Sequence, residues 1–192
     1  MPRPRSLEIH AALLDAAGRL FYERGIGATS VETVAGSAGV GKPALYRHFV
    51  SKAGLVDATL AKRDADRRQS LVTTLQQPTS SPAERLEAAI EWQLDWVGDT
   101  RFRGCGFVRA AAEPQAGGQA AATRAHEHKT WYRDQLEALA TAAGAPAPAQ
   151  LAMRLALVAE GATTLAFLGD RELVIDEARQ LARQLIRQTC PH

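Results

Sequence analysis

The sequence has few of the features that mark secreted, membrane-spanning or metal-binding proteins. It contains two cysteines in 192 residues, Cys105 and Cys190, and neither belongs to a CxxC pair or to a Cys/His cluster with ligand spacing. Both are predicted to be free thiols, and no metal site is expected. No run of about 18 apolar residues occurs, and no apolar stretch of signal-peptide length follows Met1. We therefore expect a cytoplasmic protein without a membrane partner.

Motifs that support catalysis are also missing. The chain has no phosphate-binding loop, no nucleophile elbow and no HExxH pattern. His126 and His128 stand two residues apart on a predicted helix, so their side chains point in different directions and do not suit one metal ion. The sequence therefore predicts neither an enzyme nor a cofactor.

Residues that favour helices are abundant. Hydrophobic residues make up 46% of the chain and aromatic residues only 6%, and alanine and leucine lose little on entering a helix. The net charge of +2 is unevenly distributed: residues 1–52 carry seven Lys/Arg and four Asp/Glu, whereas the remainder carries sixteen and seventeen. We predict an all-α protein whose amino-terminal end is positively charged.

Three helices are predicted in the first fifty residues. Apolar residues recur at helical spacing over residues 7–24, and Gly25 follows as a stop signal. Thr29 and Glu32 have the spacing of a capping box, which predicts a second helix ending near Ala38. A third helix can start at Lys42 and run to residue 49. Because the last two helices are too short to be stable alone, we expect a helix-turn-helix packed on a supporting helix.

The third helix has one short, basic, outward face that contains no acid. That face consists of Pro43, Ala44 and Arg47, with Lys42 and Tyr46 at its edges. A helix of this kind suits the major groove of DNA, where its early residues reach base edges. Arg47 is the best candidate for a bidentate contact with guanine.

Four segments in this region are separated from one another by only one or two residues: FYERG at 21–25, ATSVETVA at 28–35, AGVGKPALYRHF at 38–49 and SK at 51–52. Through them, residues 7–56 resemble the DNA-binding domain of the TetR family. The resemblance implies that Tyr46, His48 and Lys52 contact phosphates, that Thr29 and Ser30 lie near the DNA backbone, and that Lys42, Pro43, Ala44 and Arg47 face the groove. Lys52 itself supports this, because a cation in the first turn of a helix opposes the helix dipole unless an anion compensates for it.

The sequence departs from the family pattern in two places. Ala53 and Gly54 follow Lys52 where an acid is usual, and Glu32 stands where many members carry a basic residue. Glu32 is therefore not predicted to contact phosphate. We predict a helix-turn-helix DNA-binding domain over residues 1–52 and a larger helical domain for effector binding and dimerisation over residues 53–192, with about nine helices in all.

The carboxy-terminal part contains two further candidate sites. The family resemblance implies that its last two helices pair with those of a second copy, and the small residues near Gly161 favour such close helix contact. The predicted interface residues are Leu155, Gly161, Ala162, Leu165, Leu181 and Leu185. The predicted effector pocket is formed by Trp92, Trp96, Phe107, His128, Trp131 and Tyr132, although each of these aromatic residues would equally serve in core packing.

The function predicted from these observations is that of a dimeric transcriptional regulator, and repression is the commoner mode of the family. It would bind a palindromic operator in double-stranded DNA and be released by a small apolar or aromatic effector. Three alternatives stay open: a helical adaptor that binds protein, a regulator without a small-molecule effector, and a regulator that senses oxidants through Cys105.

Overall fold

The computed structural model describes residues 4–76, 81–113 and 118–190. Within these ranges the chain forms nine α-helices and no strand, which confirms the predicted all-α class. The helices, numbered α1 to α9 in chain order, are Pro4–Arg24, Val31–Ser37, Lys42–His48, Lys52–Leu75, Pro82–Gly98, Gly106–Ala112, Gln119–Ala142, Pro148–Leu168 and Arg171–Thr189. The ends of the first three helices lie within three residues of the predicted ones.

The chain folds into two compact units. The first comprises residues 1–66 and 106–127, and the second comprises residues 67–105 and 128–192. The predicted boundary after residue 52 concerns which residues bind DNA, and it stays a prediction because compactness alone does not define a DNA-binding domain.

The first unit is built on α1, against which the helix-turn-helix packs. Leu13 and Leu20 of α1 are buried, as are Val34 of α2, Leu45 of α3 and Phe49 just after α3. Since α2 and α3 have seven residues each, this burial must stabilise them.

The start of α2 differs from the prediction. Ser30, not Thr29, caps the helix: its hydroxyl accepts a hydrogen bond from the Thr33 amide at 3.1 Å. The Thr29 side chain is only 1% exposed and donates its hydroxyl to the carbonyl of Gly25 at 2.8 Å. The predicted capping box between Thr29 and Glu32 is therefore wrong, because Thr29 already has a hydrogen-bond partner at the end of the preceding helix.

The segment after α6 is joined to the loop between α1 and α2. The carboxylate of Glu113 accepts hydrogen bonds from the amides of Ile26 at 3.2 Å and Gly27 at 2.7 Å. Arg109 of α6 donates to the carbonyl of Tyr22 at 2.9 Å. These bonds bring residues 86 or 87 positions apart in the sequence into one site.

The second unit has its core between α5, α8 and α9. Leu86 and Ile90 of α5, Leu155 of α8 and Ile186 of α9 are all buried in one apolar cluster. At the edge of this cluster, Glu91 accepts hydrogen bonds from two arginines of α9. The unit is therefore held by apolar packing, with ion pairs at its margin.

Helix α8 is long and apolar enough, by length and composition, to cross a membrane. Charged Arg154 and Glu160 interrupt its apolar sequence, and Glu160 accepts a hydrogen bond from Lys129 at 2.5 Å. Leu151, Leu155 and other residues on one side of α8 lie in the core of the second unit. We therefore treat α8 as a core helix.

Candidate DNA-binding surface

The turn between α2 and α3 depends on glycine. Gly39 has a φ of +70°, a left-handed conformation that glycine adopts without strain, and it ends α2. Gly41 precedes α3 in an extended conformation and has no side chain with which to cap it. Pro43 lies in the first turn of α3, where a missing amide hydrogen costs nothing. The result is a tight turn that holds α3 by its amino-terminal end.

The outward face of α3 is formed by the residues predicted for it. Lys42, Pro43 and Arg47 are exposed, Ala44 is half-buried, and the Tyr46 ring is 44% exposed. The ammonium group of Lys42 lies 5.8 Å from the centre of the Tyr46 ring. A short helix thus presents two cations and one aromatic ring to solvent, an arrangement that suits the floor and walls of a DNA groove.

The environment of Lys42 contains an acid that the sequence analysis did not place there. Glu32 of α2 forms an ion pair with Lys42, and both side chains are about half exposed. The hydrogen bond from Lys42 lowers the pKa of Glu32, and the same bond raises the pKa of Lys42. Helix α3 itself contributes no acid to this face, as predicted. However, Glu32 of α2 places a carboxylate beside Lys42, the first residue of α3.

The predicted phosphate contacts lie around the end of α3. His48 is half-buried, with its ring centre 5.6 Å from that of His10, whose own ring stacks on Phe49 at 4.8 Å. Lys52 is half-buried at the first position of α4. Ser51 accepts a hydrogen bond from the Gly54 amide at 3.1 Å, as expected of the residue that caps α4. Lys52 is therefore held at a helix start, beside the end of α3.

The two predicted backbone-side residues of α2 differ in exposure. Ser30 is exposed, and its hydroxyl is shared between the Thr33 amide and the Thr33 hydroxyl. The buried Thr29 hydroxyl points inward, to the Gly25 carbonyl. The structure thus gives Thr29 a role in holding the start of α2 in place.

The predicted effector residues are divided between the units. Phe107 belongs to the first unit, and the other five residues belong to the second. There the Trp92 and Tyr132 rings lie 5.8 Å apart, and the Arg67 guanidinium stacks on both Trp92 at 3.8 Å and Trp96 at 4.5 Å. His128 is buried. The tryptophan faces that would line a pocket are thus covered by an arginine side chain.

The predicted dimer residues divide into core and surface. Leu155 and Ala162 are buried within the second unit, whereas Leu165 and Leu181 are 58% and 47% exposed. Gly161 has open space where a Cβ would lie. Together with other apolar residues, the exposed ones line a groove between α8 and α9. The exposed apolar side chains of these two helices include Leu157, Leu165, Leu168, Leu173 and Leu181.

Both cysteines are buried and free. Burial raises the pKa of the Cys190 thiol. Cys105 lies just before α6 with little exposure, so an oxidant would have limited access to it.

Comparison with known proteins identifies the helix-turn-helix. Residues 13–59 match the family described as bacterial regulatory proteins, tetR family. A curated relative, the transcriptional activator FasR of Mycolicibacterium smegmatis, is 39% identical over 90 residues, or 47% of this chain and 41% of that protein. The transcriptional repressor KstR2 of Rhodococcus jostii is 50% identical over 48 residues, or 25% of this chain and 24% of that protein. The chain thus spans less than half the length of these relatives.

A solved structure extends the similarity over nearly the whole chain. The crystal structure of a TetR-family transcriptional regulator from Streptomyces coelicolor superimposes with a TM-score of 0.83 at 25% sequence identity, covering 95% of this chain and 96% of that one. The helix-turn-helix match, the curated relatives and this full-length structural similarity agree. Residues 13–59 therefore carry the DNA-binding domain of the tetR family, and the fold of nearly the whole chain is similar to that of a TetR-family regulator.

Proposed function

We propose that the protein is a sequence-specific, dimeric transcriptional repressor that binds a palindromic operator through α3. The observation that carries the proposal is the exposed face of α3, which lies within the matched residues 13–59 and combines Arg47 and Lys42 with small residues at its start. An exposed, preorganised basic helix end is what major-groove recognition requires. The protein would act in the cytoplasm, where its operator is accessible.

The individual roles follow from exposure and chemistry. Arg47 reads a guanine through two parallel hydrogen bonds, while Lys42, Pro43 and Ala44 contribute contact and shape along the groove. Phosphate contacts come from the other polar residues of the surface, namely Ser30, Tyr46, His48 and Lys52. Thr29 acts indirectly, since its buried hydroxyl holds Ser30 at the helix start. Residues 1–52 would then be the DNA-binding domain and residues 53–192 the regulatory one.

A homodimer would be formed by α8 and α9 of two copies. The support is the apolar groove between these helices, whose exposed leucines would gain from burial in a symmetric contact. Leu165, Leu181, Gly161 and half-buried Leu185 remain interface candidates. Leu155 and Ala162 would support the interface from the core. A dimer explains a palindrome, because its two recognition helices read half-sites about one helical turn apart.

A small apolar or aromatic effector would release the operator by binding among the aromatic residues of the second unit. The support is the stack of Arg67 on Trp92 and Trp96, since an aromatic ligand can replace the guanidinium between those faces. Release requires that the ligand bind one conformation better than the other.

The first experiment is selection of bound sequences from random duplex DNA, followed by binding assays of the selected operator. We expect a palindrome to be enriched. Arg47→Ala should weaken binding and relax preference at particular positions, by about 1–3 kcal/mol per half-site. Lys52→Ala should weaken binding to every sequence alike. Arg85→Ala, which removes an exposed arginine of the second unit, is the control and should change neither property.

Failure to enrich any sequence, combined with tight binding of a protein partner, would instead favour an adaptor. If Arg47→Ala weakened binding equally on all sequences, α3 would bind DNA without reading its bases. Either result would contradict the proposal.

The dimer is tested by sedimentation. Leu165→Arg and Leu181→Arg should each shift the protein towards monomer, because a charge would be buried against an apolar partner face. Val72→Arg, at an exposed apolar position of α4, is the matched control and should leave the dimer intact. A monomeric wild-type protein would refute this part of the proposal.

The effector site is tested by fluorescence. All three tryptophans of the chain, Trp92, Trp96 and Trp131, belong to the proposed cluster, so a ligand that enters it should change tryptophan emission. The same ligand should dissociate the operator complex. Release without any change in emission would place the effector elsewhere.

A further inference from the structure

The first unit contains a cavity of about 240 Å³ between α1, α4 and α6 that DNA binding does not use. Its apolar wall is formed by Leu14, Phe21, Ile26, Val56, Leu60 and Ala110. An apolar cavity of about 150 Å³ holds one benzene ring. The cavity therefore has room for a ring system with a substituent.

The charged groups of the lining are unequally satisfied. Lys62 donates to Asp66 at 2.7 Å and lies 3.5 Å from Asp15, so these three charges are used within the protein. Both oxygens of Glu113 accept backbone amide hydrogens from the loop after α1. The acids of the lining therefore have partners already.

Of the three arginines in the lining, Arg19 pairs with Glu23 and Arg109 donates to a backbone carbonyl, whereas Arg63 lies on an aromatic ring. Its guanidinium carbon lies 4.1 Å from the centre of the Tyr22 ring and against Gly106, where an added Cβ would come within 3.4 Å of it. Throughout residues 4–76, 81–113 and 118–190, no carboxylate is within ion-pair distance of Arg63. The Arg63 guanidinium thus lies between the Tyr22 ring and Gly106 at the cavity, and no protein acid pairs with it.

We propose that this cavity binds a small, mostly apolar carboxylic acid, whose carboxylate pairs with Arg63 and whose ring or chain fills the apolar wall. A guanidinium binds a carboxylate through two parallel hydrogen bonds, and the Tyr22 ring and Gly106 hold it ready to do so. This site is distinct from the aromatic cluster of the second unit.

A ligand in this cavity would contact helices of the first unit, which contains the helix-turn-helix. It would touch α1, which supports α2 and α3, and α6, whose Arg109 donates to the Tyr22 carbonyl. The binding proposal itself concerns the protein alone and does not rest on operator recognition, so a failure of either leaves the other intact.

The test is calorimetric titration of the full chain with 2-naphthoate and with its neutral analogue 2-naphthalenemethanol. We expect the acid to bind at one site per chain and the alcohol to bind at least about ten-fold more weakly, since it lacks the charge-assisted hydrogen bonds. Equal binding of the two compounds, or binding of neither, would overturn the proposal.

Two variants locate the site. Arg63→Gln should weaken naphthoate binding about ten-fold or more, whereas Arg85→Gln, at an exposed position of α5, should not change it. Gly18→Leu should abolish binding by filling the cavity, because a Cβ at Gly18 meets only the Thr59 methyl group, at an ordinary 3.5 Å. Gly36→Leu places the same side chain in open space on α2 and should bind naphthoate like the wild type. Wild-type affinity in Arg63→Gln, or in a folded Gly18→Leu protein, would refute the assignment.

Discussion

The ion pair between Glu32 and Lys42 predicts that an acid beside α3 weakens DNA binding. Glu32 is 55% exposed and Lys42 is 51% exposed, so both face the solvent that DNA would replace. In a complex, Glu32 repels the phosphates and neutralises the ammonium group of Lys42. Glu32→Gln removes the charge and keeps the size of the side chain and one oxygen that can accept a hydrogen bond. We therefore expect this variant to bind DNA more tightly than the wild type.

The size of the effect follows from counterion release. Each phosphate neutralised by the protein steepens the dependence of log affinity on log salt by about 0.9. If loss of the negative charge of Glu32 is equivalent to one more neutralised phosphate in each half of a dimer, the slope steepens by about 1.8. Raising the salt from about 50 to about 200 mM should then reduce the gain in affinity roughly twelve-fold. The gain is thus large at low salt and small at high salt.

The assay is fluorescence anisotropy with a labelled duplex of arbitrary sequence at three salt concentrations. Glu23→Gln is the matched control, because Glu23 is about half exposed and pairs with Arg19 at 3.8 Å, outside the proposed surface. A second substitution, Lys42→Gln, should cancel the gain of Glu32→Gln. An unchanged salt slope in Glu32→Gln, or an equal change in Glu23→Gln, would refute the reasoning, since net charge alone would then be responsible.

Three further substitutions test the packing that positions these surfaces. Thr29→Val should lower the free energy of unfolding in urea by about 1–3 kcal/mol, because the buried Gly25 carbonyl loses its side-chain donor. Tyr132 donates its hydroxyl to the Ala89 carbonyl at 3.0 Å, and burial raises its pKa far above the ordinary value. Its contribution to stability should therefore be complete below about pH 10 and be lost as the pH rises further, so that alkaline difference spectra show it ionising only on unfolding; Tyr132→Phe should remove that step. Leu155→Ala should cost about 2–5 kcal/mol in the same urea assay, as expected of a fully buried leucine, and a loss below 0.5 kcal/mol would contradict its place in the core.

The helices and the candidate recognition face were accessible from the sequence because they depend on local signals. Gly39 marks the turn, and Pro43 marks the first turn of α3. Burial of Leu45 and Phe49 then decides which side of α3 faces outward. Periodicity and stop signals of this kind act within a few residues, so one sequence is enough to read them.

The sequence alone does not predict which of two adjacent residues caps a helix, or which side chains from distant parts of the chain come into contact. Thr29 and Ser30 both suit a helix cap, and only the bond from Thr29 back to Gly25 decides between them. The stacking of Arg67 on Trp92 joins residues from different helices, and no spacing rule in the chain predicts it. The hydrogen bonds from the loop after α1 to Glu113 could not be predicted either, because the partners are 86 or 87 residues apart in the sequence.

The contact between Glu113 and the loop after α1 can form only late in synthesis, because the chain is made from its amino terminus. The ribosome releases α1, α2 and α3 long before it reaches Glu113, so the amides of Ile26 and Gly27 are without their carboxylate during much of synthesis. A fragment that stops after α4 would share this condition permanently. A fragment is therefore expected to reproduce the native loop only if it contains Glu113, just after α6, as well as α1 and α2.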